Sequence, residues 1–273
     1  MGRAYWLEVE EDAQSRLEEV AREWGLEWGE AFPDASCAVV RRTKDREGNR
    51  LVLKSSYLLE DGRASARAAG AFQGFGGASI LRFDHDRAVQ LMPMVEPGEN
   101  LAQAGIQDPE AVDICADLIL SLRRAEIPDG TPRLETWFEE LTPDDPLVHE
   151  ARSVADRLFA TAPEPVLLHG DLHHFNILRL GQGWISIDPA GVAGDPAFEI
   201  SGFMRNPLGT RLSPERMALR IRRFAERLGD PMDRLWGWSF AQTVLSHVWS
   251  SSPGSTADWR QAAEAILACR TML

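Results

Sequence analysis

Two carboxylates and an amide, Asp171, Asn176 and Asp188, stand at a spacing that suits phosphoryl transfer. The run His169-Gly170-Asp171-Leu172-His173-His174-Phe175-Asn176 follows an apolar stretch at 166–168, and twelve residues after Asn176 a second apolar stretch ends on Asp188. In such chemistry one carboxylate orients the acceptor hydroxyl and takes its proton. An amide oxygen and a second carboxylate hold Mg²⁺ against the nucleotide phosphates, a cation that favours hard oxygen ligands. Any one of these residues alone reads as a turn former; the ordered trio carries the signal. A cation must also meet the α- and β-phosphates. The chain has only two lysines, Lys44 and Lys54, against 27 arginines, and Lys54 closes the apolar run Leu51-Val52-Leu53. A lysine kept there, where arginine serves almost everywhere else, fits that role.

These residues need strands and turns to aim them. Residues 11–25 read as an amphipathic helix through Leu17, Val20 and Trp24. Residues 37–40 and 50–54 read as strands around a turn at 44–49, followed by a helix over 58–73. Residues 78–82 and 88–92 form a second hairpin about Asp84-His85-Asp86. Pro93, Pro97 and Gly98 punctuate the chain. The boundary therefore falls between a nucleotide-binding lobe, 1–93, and a larger helical lobe, 94–273, that carries the catalytic loop and acceptor site. Helices are expected at 108–124, 146–161, 213–228, 231–250 and 256–271, with a β-rich island at 166–168, 177–180 and 184–187. The class is α+β, two-lobed. The order of the site residues matches the protein-kinase loop H-R-D-L-x-x-x-N, with Asp188 in place of the D-F-G aspartate.

Composition narrows the partners. The net charge of −13 disfavours nucleic acid and anionic membrane, and is compatible with a cationic small-molecule acceptor. Most of the excess acid lies after residue 94, where 26 acidic face 16 basic side chains. No apolar run approaches the roughly 20 residues that span a bilayer, and the first eleven residues lack an apolar signal core. Three separated cysteines with no CxxC pair predict reduced thiols and a cytoplasmic home. A monomer or weak dimer is the expected state.

The stretch Leu167–Leu178, the segment Ile187-Asp-Pro-Ala-Gly-Val-Ala-Gly-Asp-Pro-Ala-Phe-Glu-Ile200 and Arg205-Asn206-Pro207 resemble the aminoglycoside phosphotransferase superfamily, most of all its streptomycin and hydroxyurea kinase branch. The third-strand Leu-Lys-Ser and the interlobe Glu96-Pro97-Gly98 extend the likeness over most of the chain. The resemblance implies a protein-kinase-like fold, ATP and Mg²⁺. It implies Asp171 as catalytic base, Asn176 and Asp188 as metal ligands, Lys54 on the phosphates, and adenine against the backbone of Met92, Met94 and Val95. The implied activity is an ATP-dependent O-phosphotransferase acting on an aminoglycoside such as streptomycin.

His169 is expected to buttress the loop, and His173 and His174 to pack it. Asp195 should cap the following helix, with Arg205 as its ion-pair partner, and the tryptophans of the C-terminal region should fill core. Three features depart from the pattern. Kinases pair the strand lysine with a helix glutamate, yet residues 55–83 hold only Glu60 and Asp61, and Ala66 stands where that glutamate is expected. Glu60 is the candidate partner. No glycine-rich phosphate loop occurs over 30–45, and Ala190 replaces a lysine frequent in the branch. Two readings compete: a metal-dependent phosphohydrolase using the His and Asp cluster, and a kinase-like binding protein with little turnover. A kinase of another small metabolite also fits.

Overall fold

The computed structural model describes residues 3–32, 37–207, 212–250 and 259–273. The chain opens with α1 (Arg3–Glu23), whose Leu17, Val20 and Ala21 bury against Leu51, Leu53, Val89 and Leu91 of the first sheet. That sheet holds β1 (Glu27–Ala31), β2 (Ala38–Lys44), β3 (Arg50–Ser56), then, after α2 (Leu59–Phe72), β4 (Arg82–Asp84) and β5 (Val89–Pro93). It is antiparallel, in the order β1-β2-β3-β5-β4. Lys54 lies on the central strand between Val40 and Gln90.

A second unit follows: β6 (Pro97–Asn100), α3 (Asp108–Leu122), α4 (Leu134–Phe138), α5 (Pro146–Ala160), β7 (Val166–Leu168), β8 (Ile177–Leu180), β9 (Gly183–Ser186), β10 (Val192–Gly194), α6 (Ser201–Met204), α7 (Pro214–Leu228), α8 (Met232–Ser250) and α9 (Trp259–Cys269). β6, β8 and β9 form one small sheet, and β7 pairs with β10. Beneath them a single apolar core runs through α3, α5, α7, α8 and α9. Trp236 and Trp238 are part of it, as expected; Trp249 is half-exposed and packs edge-on against Trp137 at 5.8 Å. Among the described residues no helix is long and apolar enough to cross a membrane.

The hairpins β2–β3 and β8–β9, helix α2 and the long helices stand where the residue pattern puts them. The differences have local causes. β1 is an edge strand whose side chains are mostly exposed, so it lacks the alternation that marks a half-buried strand; Trp28 is covered by the Arg41 guanidinium at 4.5 Å. Residues 78–81, expected to pair with 88–92, do so only through Leu81, which donates to the Leu91 carbonyl at 2.8 Å. Ala78 instead donates to the Ser186 carbonyl at 2.9 Å, and Ser186 donates to that of Gly76 at 2.7 Å, so this segment ties the first sheet to β9. β6 was legible only as punctuation. It pairs with β8, which brings Glu96–Asn100 alongside the hairpin that ends on Asp188. Of the last expected helix, residues 256–258 lie outside the described residues.

One buried cation organises the larger unit. Arg220 on α7 is 1% exposed and donates through Nη1 to the carbonyls of Phe203 (3.1 Å), Met204 (3.1 Å) and Asn206 (2.7 Å). Its Nη2 reaches Asp108 at the start of α3 at 2.6 Å, and Arg216 reaches the same carboxylate at 2.7 Å. Burial alone would raise the Asp108 pKa, but the hydrogen bonds from Arg220 and Arg216 outweigh it and hold the carboxyl well below the usual aspartate range. A carboxyl whose folded pKa is depressed stabilises the fold above its unfolded value of 3.8 and loses that contribution as pH falls below it. Asp108→Asn is therefore expected to cost about 3 kcal/mol at neutral pH, the lower end for stranding a buried charge. The deficit relative to the native chain should shrink in urea titrations taken progressively below pH 4. A deficit that does not change with pH would contradict the assignment.

Candidate active site

The turn between β7 and β8 carries His169 to Asn176, and its first residues hang from a carboxylate. Glu199, in the short 3-10 helix Pro196–Ile200, is 4% exposed. It accepts the His169 N–H at 2.7 Å and the Gly170 N–H at 3.0 Å, one on each oxygen. Gly170 has φ +81°, and a Cβ there would lie 2.9 Å from the Trp137 ring, so backbone and packing both require glycine. His169 is fully buried. Its Nδ1 accepts the Asp171 N–H at 3.4 Å, so Nε2 carries the proton and donates to the Ile187 carbonyl at 2.9 Å. Burial lowers its pKa to about 4, which keeps the ring neutral. It buttresses the loop as expected, by joining Asp171 to the residue before Asp188.

Asp171 is half-exposed and both its oxygens have donors nearby. Arg205 Nη2 donates to Oδ1 at 3.2 Å, and His173 Nε2 lies 3.5 Å from Oδ2. The Phe175 N–H points at His173 Nδ1 at 3.3 Å, which leaves the His173 proton on Nε2, facing Asp171. Desolvation works against the charged carboxylate, but His173 first and Arg205 after it reverse that and hold Asp171 below the usual range. His174 does pack: it is buried, stacks on Phe203 with ring centroids 3.9 Å apart, and burial with the nearby Arg220 lowers its pKa to about 2.

Asn176 donates from Nδ2 to the Asp171 carbonyl at 3.0 Å, and its own carbonyl accepts the Ile187 N–H at 2.9 Å. The amide nitrogen is thus committed to the loop, and Oδ1 is the atom presented outward. Asp188 follows β9 with φ +60°, a left-handed conformation that aspartate tolerates better than most residues. Its carboxylate pairs with the Lys54 ammonium, which is only 9% exposed at the side chain. Lys54 thus reaches Asp188, and the hydrogen bonds of His169 and Asn176 tie the residue before Asp188 to the loop that carries Asp171. Asp188 and Asn176 offer two hard oxygens to a cation, the chemistry that suits Mg²⁺. Among the described residues no three His, Cys, Asp or Glu side chains gather as a metal centre.

Two expectations are corrected. Glu60 does not reach Lys54; it is 79% exposed and pairs with Arg63 at 2.6 Å. The reason lies in how α2 seats. A Cβ on Gly191 would come within 2.6 Å of Ala68 Cβ and 2.8 Å of the Ala64 carbonyl, so the helix face against the Asp188 turn accepts only small side chains. Lys54 takes Asp188 as its partner instead. Asp61 is the acid of α2 that feels the Lys54 charge: burial and Glu60 raise its pKa, and Lys54 opposes them. Nor does Arg205 pair with Asp195. Asp195 caps the 3-10 helix as expected, accepting the Ala197 N–H at 3.0 Å, but its other oxygen is taken by Arg234 and by Trp238 Nε1 at 2.7 Å. At the strand that leads out of the first sheet, Met92 pairs with Val52 and the Met94 N–H is spent on the Arg50 carbonyl at 3.0 Å. Among the described residues no backbone carbonyl takes the Val95 N–H. Within 30–45, where no glycine-rich phosphate loop occurs, residues 33–36 lie outside the described residues. Glu199 and the Arg205–Asp171 pair were not foreseen; the one visible signal was an acid inside the apolar run Ala197-Phe198-Glu199-Ile200.

Residues 24–254 match the family model for aminoglycoside/hydroxyurea antibiotic resistance kinases. The chain is 32% identical over 224 residues to a streptomycin 3''-kinase from Klebsiella pneumoniae, covering 77% of this chain and 83% of that one. It is 24% identical over 259 residues to a streptomycin 6-kinase from Streptomyces glaucescens, covering 88% and 84%. In three dimensions it overlays choline kinase LicA from Streptococcus pneumoniae with a TM-score of 0.67 at 12% identity, over 92% of this chain and 97% of that one; LicA has also been solved with AMP. The chain belongs to the aminoglycoside/hydroxyurea antibiotic resistance kinase family, and its fold is the two-lobed, protein-kinase-like one.

Burial raises the Glu199 pKa to about 7 from an ordinary 4.5. Between these values the folded chain holds a proton that the unfolded chain has released, so this residue's contribution to stability falls as pH rises through that window. Glu199→Gln should therefore gain stability relative to the native chain from pH 4.5 to pH 7, measured by urea denaturation. Glu199→Ala, which leaves two buried N–H groups without an acceptor, should lose about 1–3 kcal/mol for each at any pH. A Gln variant whose difference from the native chain does not change with pH would show that Glu199 does not titrate there.

Proposed function

We propose that this kinase transfers the γ-phosphoryl group of ATP to a hydroxyl of a cationic small molecule, an aminoglycoside of the streptomycin type, and that Asp171 is its base. The observation that carries the reading is the Lys54–Asp188 pair together with the His169 and Asn176 hydrogen bonds that join the residue before Asp188 to the Asp171 loop. Lys54 holds the α- and β-phosphates. Asp188 and the Asn176 Oδ1 hold Mg²⁺, which when bound offsets charge on the phosphates. Adenine lies against the strand end, where the Val95 N–H is the donor at hand; Met92 and Met94 contribute backbone and side-chain surface. The division at 93/94 then separates nucleotide from acceptor contacts. Abundant carboxylates in the larger lobe suit a cationic acceptor. The setting is a cytoplasmic monomer or weak dimer.

The reaction forms one bond and breaks another. The acceptor oxygen bonds to the γ-phosphorus, the bond to the β–γ bridging oxygen breaks, ADP leaves, and the hydroxyl proton passes to Asp171. Oδ1 is held by buried Arg205, so Oδ2, beside His173, is the oxygen that meets the hydroxyl. A carboxylate held below its usual pKa is a weak base. That suits a loose transition state, in which the acceptor oxygen acquires acidity only as the bond to phosphorus forms. The same carboxylate, already ionised, orients the hydroxyl at every pH where ATP chemistry runs.

The test is ADP release with MgATP across streptomycin, other aminoglycosides, hydroxyurea, sugars and amino alcohols, with mass analysis of the product. One compound class should respond and gain a phosphoryl group. Asp171→Asn should lower kcat by roughly 10²–10⁴-fold with nucleotide binding nearly intact. Asp188→Ala should weaken MgATP binding. Asp171→Asn within tenfold of the native rate would contradict the assigned base, and nucleotide binding without turnover of any acceptor would revive the reading as a binding protein.

A further inference from the structure

Arg205 is a buried guanidinium with no solvent to spare it the cost of desolvation, and its surroundings show what it is kept for. Its side chain is 8% exposed. Nη1 donates to the Ser201 carbonyl at 3.2 Å and to the Gln242 side-chain oxygen on α8. Nη2 donates to Asp171 Oδ1. The guanidinium carbon sits 5.3 Å over the Trp259 ring of α9. Among the described residues the one carboxylate it meets is that of Asp171. A buried charge of this kind is costly unless paired and hydrogen-bonded, and a methionine or leucine would fill the same space more cheaply. The backbone around it is locked from the other side, because Arg220 takes the carbonyls of Phe203, Met204 and Asn206 and Asn206 Nδ2 donates to the Gly202 carbonyl at 2.9 Å.

We infer that Arg205 is a positioning residue for phosphoryl transfer: it clamps Oδ1 of Asp171 so that Oδ2 alone faces the acceptor hydroxyl. The inference rests on the reading of Asp171 as the base. The geometry gives the clamp a direction. Free rotation about the Cβ–Cγ bond of a half-exposed aspartate would exchange its two oxygens and swing the carboxylate plane. Arg205 reaches one oxygen from beneath, out of solvent, with its other donor fixed on α8. The carboxylate plane is thereby set from α8 through Arg205, and not by His173 of its own loop alone. Gln242 completes the arrangement by accepting from Nη1 while its own Nε2 donates to Ser246 at 3.2 Å. Gln242 is 2% exposed, and among the described residues its side-chain amide meets Arg205 and Ser246.

A residue that only fills core would alter stability and leave the chemical step alone. The test is therefore a split between kcat and KM, taken with the acceptor found in the ADP-release panel. Arg205→Met should lower kcat by about 10²-fold, because misplacing a catalytic group by an ångström costs that much, with KM for MgATP and for the acceptor within about threefold. Arg205→Lys, which keeps the charge and one donor, should recover part of the loss. Gln242→Leu leaves Arg205 in place and loosens its aim, so it should lower kcat by about tenfold with both KM values unchanged. Should Arg205→Met not fold, Gln242→Leu and Arg205→Lys decide the matter: kcat within threefold of the native value in both overturns the inference. It is overturned as well if Arg205→Met folds, loses stability and keeps its native kcat. Asp171→Asn runs beside them. If that variant keeps native activity, the reading of Asp171 as base has failed; if it is dead while the Arg205 variants turn over normally, only the clamp has failed.

Discussion

A carboxylate cannot be sealed inside a protein without donors, and the catalytic loop is built on that constraint. Glu199 lies under the loop with one backbone N–H on each oxygen. Neither partner is a side chain, so the interaction does not specify residues at 169 and 170; it specifies where their backbone runs. Gly170 bends at positive φ above it, against the Trp137 ring. From there His169 transmits the position onward, accepting from Asp171 and donating to Ile187. Asp171 and the segment that leads to Asp188 are thus spaced through one neutral imidazole, and that imidazole is neutral because it is buried. An apolar core beneath would collapse the loop onto itself. The buried acid keeps it open at a defined height.

Around this centre the chain spends arginine where other proteins spend backbone pairing. Arg220 satisfies three carbonyls at the end of α6, where the helix stops and its last carbonyls run out of backbone donors; the Phe203 carbonyl also accepts the Asn206 N–H at 3.1 Å. Asp108 then neutralises Arg220 and fastens α3 to α7. Arg234 does the same for Asp195 under the 3-10 helix that carries Glu199. Each cation has five donors in a rigid plane, which lets one side chain meet a carboxylate and several carbonyls at once. The predominance of arginine over lysine follows the same logic at these buried positions, and it leaves lysine for the strand position where a compact ammonium is wanted.

The sequence disclosed the parts that are contiguous in it and hid those that are not. Asp171, Asn176 and Asp188 were legible because a hairpin of fixed length carries them, and the hairpin's apolar alternation is local. The two-lobed class followed from the switch of strands to helices at Pro93. Glu199 and Gln242 were not legible, since their partners are backbone groups or side chains 29–37 residues away. The mistaken partner for Lys54 came from assuming that an acid on the nearest helix must turn toward the strand. Helix α2 turns an alanine face to Gly191 instead, and close packing of small side chains overrode charge pairing. Arg205 was placed on the wrong aspartate for a related reason: Asp195 looked available until Arg234 and Trp238 arrived from α8.

That alanine face also explains how the two lobes communicate. The first sheet meets the larger unit through Lys54 on Asp188, through Gly76 and Ala78 on Ser186, and through Ala64 and Ala68 on Gly191. These three contacts converge on residues 186–191, the turn that presents the Asp188 carboxylate; Arg67 on the Gly130 carbonyl and Phe72 against His169 add to them. A kinase with a helix glutamate holds its strand lysine from within the small lobe. Here the lysine is held from the other lobe, by Asp188. On the roles proposed above, phosphates reaching Lys54 would compete with Asp188 for it, and a cation reaching Asp188 would compete with Lys54. MgATP would then replace the ion pair as a unit, where ATP or the metal alone would strand one of its halves. A kinase built this way needs no glutamate at position 66, because the pairing role has moved across the cleft.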